Sequence, residues 1–208
     1  VFAYIGHLQA KKRREAFQTL ASELGFSFNP AKDRQLARSF NFLNNMDDSS
    51  KRYCMNVLRG EVDGQRMHVF DYHYETYSRD SKGRRRTHHH WFSIFTLSMY
   101  KSFPELVIKR EGFFAKLGQA MGFDDIDFES VEFSKRYNVK SKEKKFAYDF
   151  CNAQMITYLL QQEDLSIEVE NQYLALTFKG KLAVDQVRPN IARIQKIQSL
   201  MPNYLFSD

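Results

Sequence analysis

"YCMNVLRGEVDGQRMHVFDYHYETY", residues 53–77, decides the fold. Its Asp63-Gly64 pair lies between two runs in which apolar side chains recur at alternate positions, the strongest short-range signal for a two-residue hairpin turn. Strands follow over Tyr53 to Val62 and Gln65 to Tyr77, with Phe70, Tyr72 and Tyr74 on one face. The next stretch, "YSRDSKGRRRTHHHW" at 77–91, places five basic side chains and three consecutive histidines before another apolar run. It reads as a long, mobile hairpin loop, because Ser78, Asp80, Ser81 and Gly83 have no apolar neighbour to hold them down. Beyond it, Trp91, Phe95, Leu97 and Met99 line one side of a strand and Phe92 and Ile94 the other, so that strand is expected to be buried on both faces.

Working outward, His7 to Leu24 has helical periodicity through Phe17, Leu20 and Leu24, with Gly25 where a left-handed cap would fall. Residues 29–52 are polar and read as loop around Asn44 to Ser50. Pro104 is expected to open a short strand through Leu106 and Ile108, followed by a brief helix over Gly112 to Ala120. Ile126, Phe128, Val131 and Phe133 are threaded through acids, and Ile126 and Phe128 between them predict a half-buried strand with an acidic outer face. Lys142 to Gln162 reads as a helical pair jointed at Asn152. Leu165 to Phe178 reads as a second hairpin around Glu170-Asn171-Gln172, and Val187, Ile191, Ile194 and Leu200 mark a final helix. The sum is an α+β fold: a mainly antiparallel sheet built from hairpins, with an N-terminal basic helix, a paired-helix segment and a C-terminal helix. Residues 1–24 are assigned to the end of a membrane anchor and the basic helix, and 25–208 to one globular domain.

A chain of 208 residues, 43% hydrophobic and 15% aromatic, has ample material for a packed core and is unlike a disordered one. The net charge of +6 favours anionic partners. Cys54 and Cys151 show no metal-binding spacing and suit buried thiols. Val1 to Ile5 is apolar and Lys11, Lys12, Arg13 and Arg14 follow, the pattern of the cytoplasmic end of a membrane-spanning helix. About fifteen further apolar residues before Val1 would complete such a span.

The chemistry-bearing motifs are sparse. On a strand His88 and His90 share a face and His89 points away, so the triplet supplies at most two ligands to one ion, although His68 and His73 sit on a neighbouring strand. Five adjacent cations would repel a divalent ion, and no metal is expected. Asp124, Asp125, Asp127 and Glu129 alternate as calcium ligands would, but Ser130 stands where the turn glycine belongs and Arg136 where the closing glutamate does. There is no GxSxG elbow, phosphate loop or GxGxxG, and Cys151 between apolar neighbours reads as inert. No catalytic residue and no cofactor is assigned, and an enzyme is disfavoured. Arg84, Arg85 and Arg86 between Tyr77 and Trp91 would suit phosphates and bases, yet no nucleic-acid-binding motif accompanies them.

"NVLRGEVDGQRMHVFDY" together with "GFDDIDFESVEFSKRYNVKSKEKKFAYDF" resembles an uncharacterised bacterial family of membrane-anchored proteins related to a domain of unknown function sometimes encoded near LemA. The likeness covers Val1 to Ile5, Lys11 to Arg14, Arg59 to Gly64, Tyr137 to Val139 and Lys142 to Gln162. It implies an anchor and carries over no catalytic residue. The resulting expectation is a non-catalytic binding or scaffold domain, tethered by a single pass to the inner (cytoplasmic) membrane and facing the cytoplasm. Lys11, Lys12, Arg13, Arg14, Lys82, Arg84, Arg85 and Arg86 would meet acidic lipid or a protein partner, in preference to nucleic acid.

Overall fold

A computed structural model of the chain describes residues 2–40, 42, 51–110, 125–163 and 165–207, with the backbone alone for 2–7. Most of the expected polar loop around Asn44 to Ser50 and the expected helix Gly112 to Ala120 lie outside the described residues. In chain order the elements are α1 (Phe2–Leu24), β1 (Ser27–Asn29), α2 (Leu36–Ser39), β2 (Tyr53–Val62), β3 (Gln65–Arg79), β4 (Arg85–Arg110), α3 (Val131–Arg136), β5 (Tyr137–Ser141), α4 (Lys144–Phe150), α5 (Ala153–Leu160), β6 (Ser166–Lys179) and α6 (Val187–Ser199). Short 3-10 turns at Val184–Gln186 and Asn203–Leu205 flank α6.

Asp63 and Gly64 both take positive φ, 51° and 75°. That is the mirror-image turn whose twist matches a two-residue hairpin, and it pairs Val62 with Gln65. All strand pairings are antiparallel, running β1-β2-β3-β4-β5 with β6 on the remaining edge of β4. The sheet is therefore organised around β4. Its first half lies between β3 and β6, its second between β5 and β6.

Two expected breaks are absent. Pro104 does not open a new strand: β4 runs through it to Arg110. Asn171 does not turn a hairpin: β6 runs through it from Ser166 to Lys179. The two positions are one feature, because Phe103 pairs with Asn171 between register shifts on either side. The left-handed backbone at Asn171 (φ 51°) is a bulge in two strands that bend together. A bulge and a tight turn use the same residue types, which is why the sequence reads as a turn there. The expected strand through Ile126 and Phe128 is also replaced, by a lone bridge between Asp125 and Lys140, and helix α3 follows, which Ser130 caps by accepting from Phe133 N.

Helices α1, α4, α5 and α6 form where expected, whereas α2 (Leu36–Ser39) lies in the stretch 29–52 that reads as loop. Asn152 separates α4 from α5 by accepting from Gln154 N and Met155 N. Gly25 (φ 69°) closes α1, with Phe26 N bonded to Ala21 O and Gly25 N to Ser22 O, a Schellman cap. Side chains split by parity. Met67, Val69, Phe95 and Leu97 face a large core with Phe17, Leu20 and Ala21 of α1 and Ile194 of α6. Phe70, Tyr72, Tyr74, Phe92 and Ile94 face a smaller one, closed by Ala37, Phe40 and Phe42.

A carboxylate lies inside the large core. Asp71 of β3 is 0% exposed and its carboxylate receives Arg13 Nη2 at 2.8 and 2.9 Å, Asn56 Nδ2 at 2.7 Å and Leu182 N at 2.7 Å. Arg13 Nε also donates to Leu182 O at 3.1 Å. Removing one partner of such a pair strands a buried charge, so Arg13→Ala is expected to cost about 3 kcal/mol in denaturant unfolding, while Lys12→Ala, on the exposed side of the helix, changes stability little.

A second expectation concerns acid. His68, between the Phe40 edge and β4, has its pKa pushed down from 6.5 to about 4, first by burial and then by Arg59 and Arg66. The unfolded chain thus binds a proton that the folded one refuses, and stability is lost as pH falls from 6.5 towards 4. Melting temperature should drop over that window in the wild type and drop less in His68→Gln.

A basic end of the sheet as candidate functional site

The β3–β4 pairing continues far beyond the core. Register holds from Met67↔Leu97 to Arg79↔Arg85, so the expected long loop is a paired ribbon closed by the five residues Asp80 to Arg84. Asp80 makes that closure possible. Its carboxylate accepts from Lys82 N at 3.0 Å, Arg84 N at 2.9 Å and Arg84 Nε at 3.0 Å, and Gly83 takes φ 74°. The backbone donation from Arg84 is also the main reason that the Asp80 pKa lies below the ordinary range.

Helix α1 leaves the domain at the same end. Its cap places the Phe26 ring against Gly60, where a Cβ would sit 2.0 Å from the ring, and Gly60 pairs with Met67. Thirteen residues earlier Arg13 reaches Asp71. Going backwards along α1 is thus going forwards along β3, from Met67 towards Arg79. The turns before Arg13 extend roughly 15 Å further in that direction, and β3 from Asp71 to Arg79 covers roughly 26 Å.

Of the expected anion-binding residues, most are gathered at this end and one is not available. Arg13 is turned inward onto Asp71, with 27% of its side chain exposed. Lys11 lies 3.8 Å from Glu15 on the exposed helix surface. Arg84 is held by Asp80, and the Arg85 guanidinium lies 3.6 Å from the Tyr77 ring centre. Lys12, Arg14, Lys82 and Arg86 are exposed, with no ion-pair partner among the described residues. Lys32 and Lys181, which the sequence did not single out, join the same end over the rings of Tyr53 and Trp91, at 4.3 and 4.4 Å.

The histidines divide as strand parity requires. His88 and His90 lie on the small-core face, bonded to Ser78 Oγ and Thr76 Oγ1 at 2.8 Å each, with His90 stacked on Tyr74. His89 lies on the opposite face, beside His73 and Glu75. Glu75 was missed because the loop was expected to begin at Tyr77, which left the register unspecified. The Asp-x-x-Gly run Asp80 to Gly83 was the available signal for the true turn. Both cysteines are buried, and burial raises the pKa of each thiol well above its ordinary value. No helix among the described residues is long and apolar enough to cross a membrane.

No protein-family model and no curated protein matches the sequence. Among solved structures, the crystal structure of the mycobacterial trehalose monomycolate transport factor A, TtfA, superposes with a TM-score of 0.67 over 93% of this chain and 96% of that one, at 13% sequence identity. At that identity the likeness is one of fold: this α+β architecture, with its antiparallel sheet, is shared with TtfA.

Proposed function

We propose that the chain is a non-catalytic binding or scaffold domain held at a membrane and facing the cytoplasm, with its basic end lying on anionic lipid. The observation that carries this reading is geometric. The N-terminal turns of α1 and the basic ribbon leave the domain at one end, so an anchor preceding α1 would hold Lys82, Arg85 and Arg86 near the headgroups. The apolar residues Val1 to Ile5 before the basic quartet, and the resemblance to a membrane-anchored family, support the tether. The fold is shared with a protein named as a trehalose monomycolate transport factor, a name in keeping with a binding role.

Each Lys or Arg close to an anionic leaflet contributes about 1 kcal/mol, decaying within a Debye length of about 8 Å at physiological salt. A tether supplies the proximity that makes a few such contacts effective. Nucleic acid would instead favour a basic groove along the domain, whereas these cations form a cap at one end. Vesicle sedimentation checks the reading. The wild type should bind vesicles rich in acidic lipid, more strongly at low ionic strength, and Lys82→Glu with Arg86→Glu should weaken that binding several-fold while leaving the melting temperature within about 2 °C. Equal binding by the double variant, or equal binding to neutral vesicles, would remove the lipid role. Tighter binding to single-stranded nucleic acid than to vesicles would favour the other class of partner.

A further inference from the structure

On the large-core face of the ribbon, three side chains from two paired strands converge. His73 and Glu75 are two apart on β3 and so share a face, and the β3–β4 register sets His89 directly opposite Glu75. His73 Nε2 lies 3.1 Å from His89 Nδ1, and His89 Nδ1 lies 3.8 Å from Glu75 Oε1. All three donor atoms fall within 4.8 Å of one another. Donors held about 2.1 Å from a tetrahedral zinc ion are about 3.4 Å apart, so small side-chain adjustments would bring this triangle onto one ion.

We infer that His73, Glu75 and His89 form a divalent-metal site of the two-histidine, one-carboxylate type, suited to zinc, with a fourth position open to water or an external ligand. The surroundings prepare each ligand. Tyr77 OH donates to Glu75 Oε2 at 2.7 Å and Lys51 lies 3.5 Å from the same oxygen, which leaves Oε1 directed at His89. His73 is 3% exposed and walled by Tyr53 and Trp91, with ring centres at 4.7 and 4.5 Å. Its Nδ1 has no hydrogen-bond partner among the described residues, and packing and the contact with His89 set the ring. The neutral imidazole is the form in which a histidine binds a metal.

The positive neighbours oppose an ion but do not occupy the site. Lys32 and Lys181 sit over the rings of Tyr53 and Trp91, and Glu75 brings the negative charge. The count of histidines in the sequence obscured this arrangement. The pair that the triplet offers on one face, His88 and His90, is hydrogen-bonded on the other side of the sheet, and the ligands come from across the ribbon.

That division supplies internal controls. The chain, freed of any purification tag and stripped with chelator, would be dialysed to equilibrium against zinc and analysed for bound metal, with cobalt as a spectroscopic probe of geometry. The expected result is one zinc per chain and a tetrahedral visible spectrum with cobalt. His89→Ala, at a residue with 57% of its side chain exposed and so safe for folding, and Glu75→Gln should each weaken zinc binding by roughly tenfold or more. A His88→Ala, His90→Ala double variant should bind as the wild type does. Zinc uptake unchanged in His89→Ala, or lost with His88 and His90 instead, would overturn the site.

Discussion

A carboxylate with no exposure, in the middle of a strand, dictates what must surround it. Asp71 is matched by Arg13 from the first helix, Asn56 from the neighbouring strand and the backbone N–H of Leu182 after the last strand. Burying an ion is costly unless its lone pairs are taken up, and pieces of chain up to 111 residues away are drawn to one point to do so. Asn56 reaches its place from a left-handed backbone at the bulge between Met55 and Leu58. Arg13 reaches its own from one turn before the buried Phe17, over whose ring it lies. The apolar face of α1 sets how closely the helix packs, and this ion pair sets its position along β3.

That position gives the domain its polarity. The Asp63-Gly64 turn lies at one end, where Gln195 of α6 donates from Nε2 to Asp63 Oδ2 at 2.7 Å. The Asp80 to Arg84 turn lies at the other, with the length of β3, roughly 45 Å, between them. The long β4 makes this possible, since one continuous strand carries the core, the bend at Phe103 and the projecting ribbon. From the edge of the small core outward the ribbon is stabilised by its own cross-strand pairs: Tyr74 on His90, Arg85 on Tyr77, Thr76 and Ser78 on histidine nitrogens. Residues that look in sequence like the contents of a solvated loop are thus held in register, and that register brings His73, Glu75 and His89 together.

What was legible in the sequence is what local chemistry determines. Asp63-Gly64, Gly25, Asn152 and the alternation through Phe70, Tyr72 and Tyr74 each report a nearby backbone requirement, and each element formed there. The fold class follows from them. Features set by distant partners were not legible. Nothing near Arg13 distinguishes it from Lys12 or Arg14, and its removal from the basic surface depends on a carboxylate 58 residues away. Pro104 and Asn171 look like ends of strands because the bulge they share is defined only once β4 and β6 are paired. The basic clusters themselves were visible, but their meeting at one end of the domain depends on the direction of α1 over the sheet.

The central claim, that the basic end is the end presented to a membrane, is tested most directly by a reporter at each end of the same molecule. Cys54 and Cys151 are buried, so a single added thiol can carry an environment-sensitive fluorophore: Ser81→Cys in the ribbon turn, or Ala192→Cys beside Asp63 and Tyr100 at the far end. With vesicles of acidic lipid carrying a headgroup-level quencher, the label at position 81 should shift to the blue and be quenched, and the label at 192 should stay as it is in buffer. A response at 192 equal to or larger than that at 81 would contradict the account.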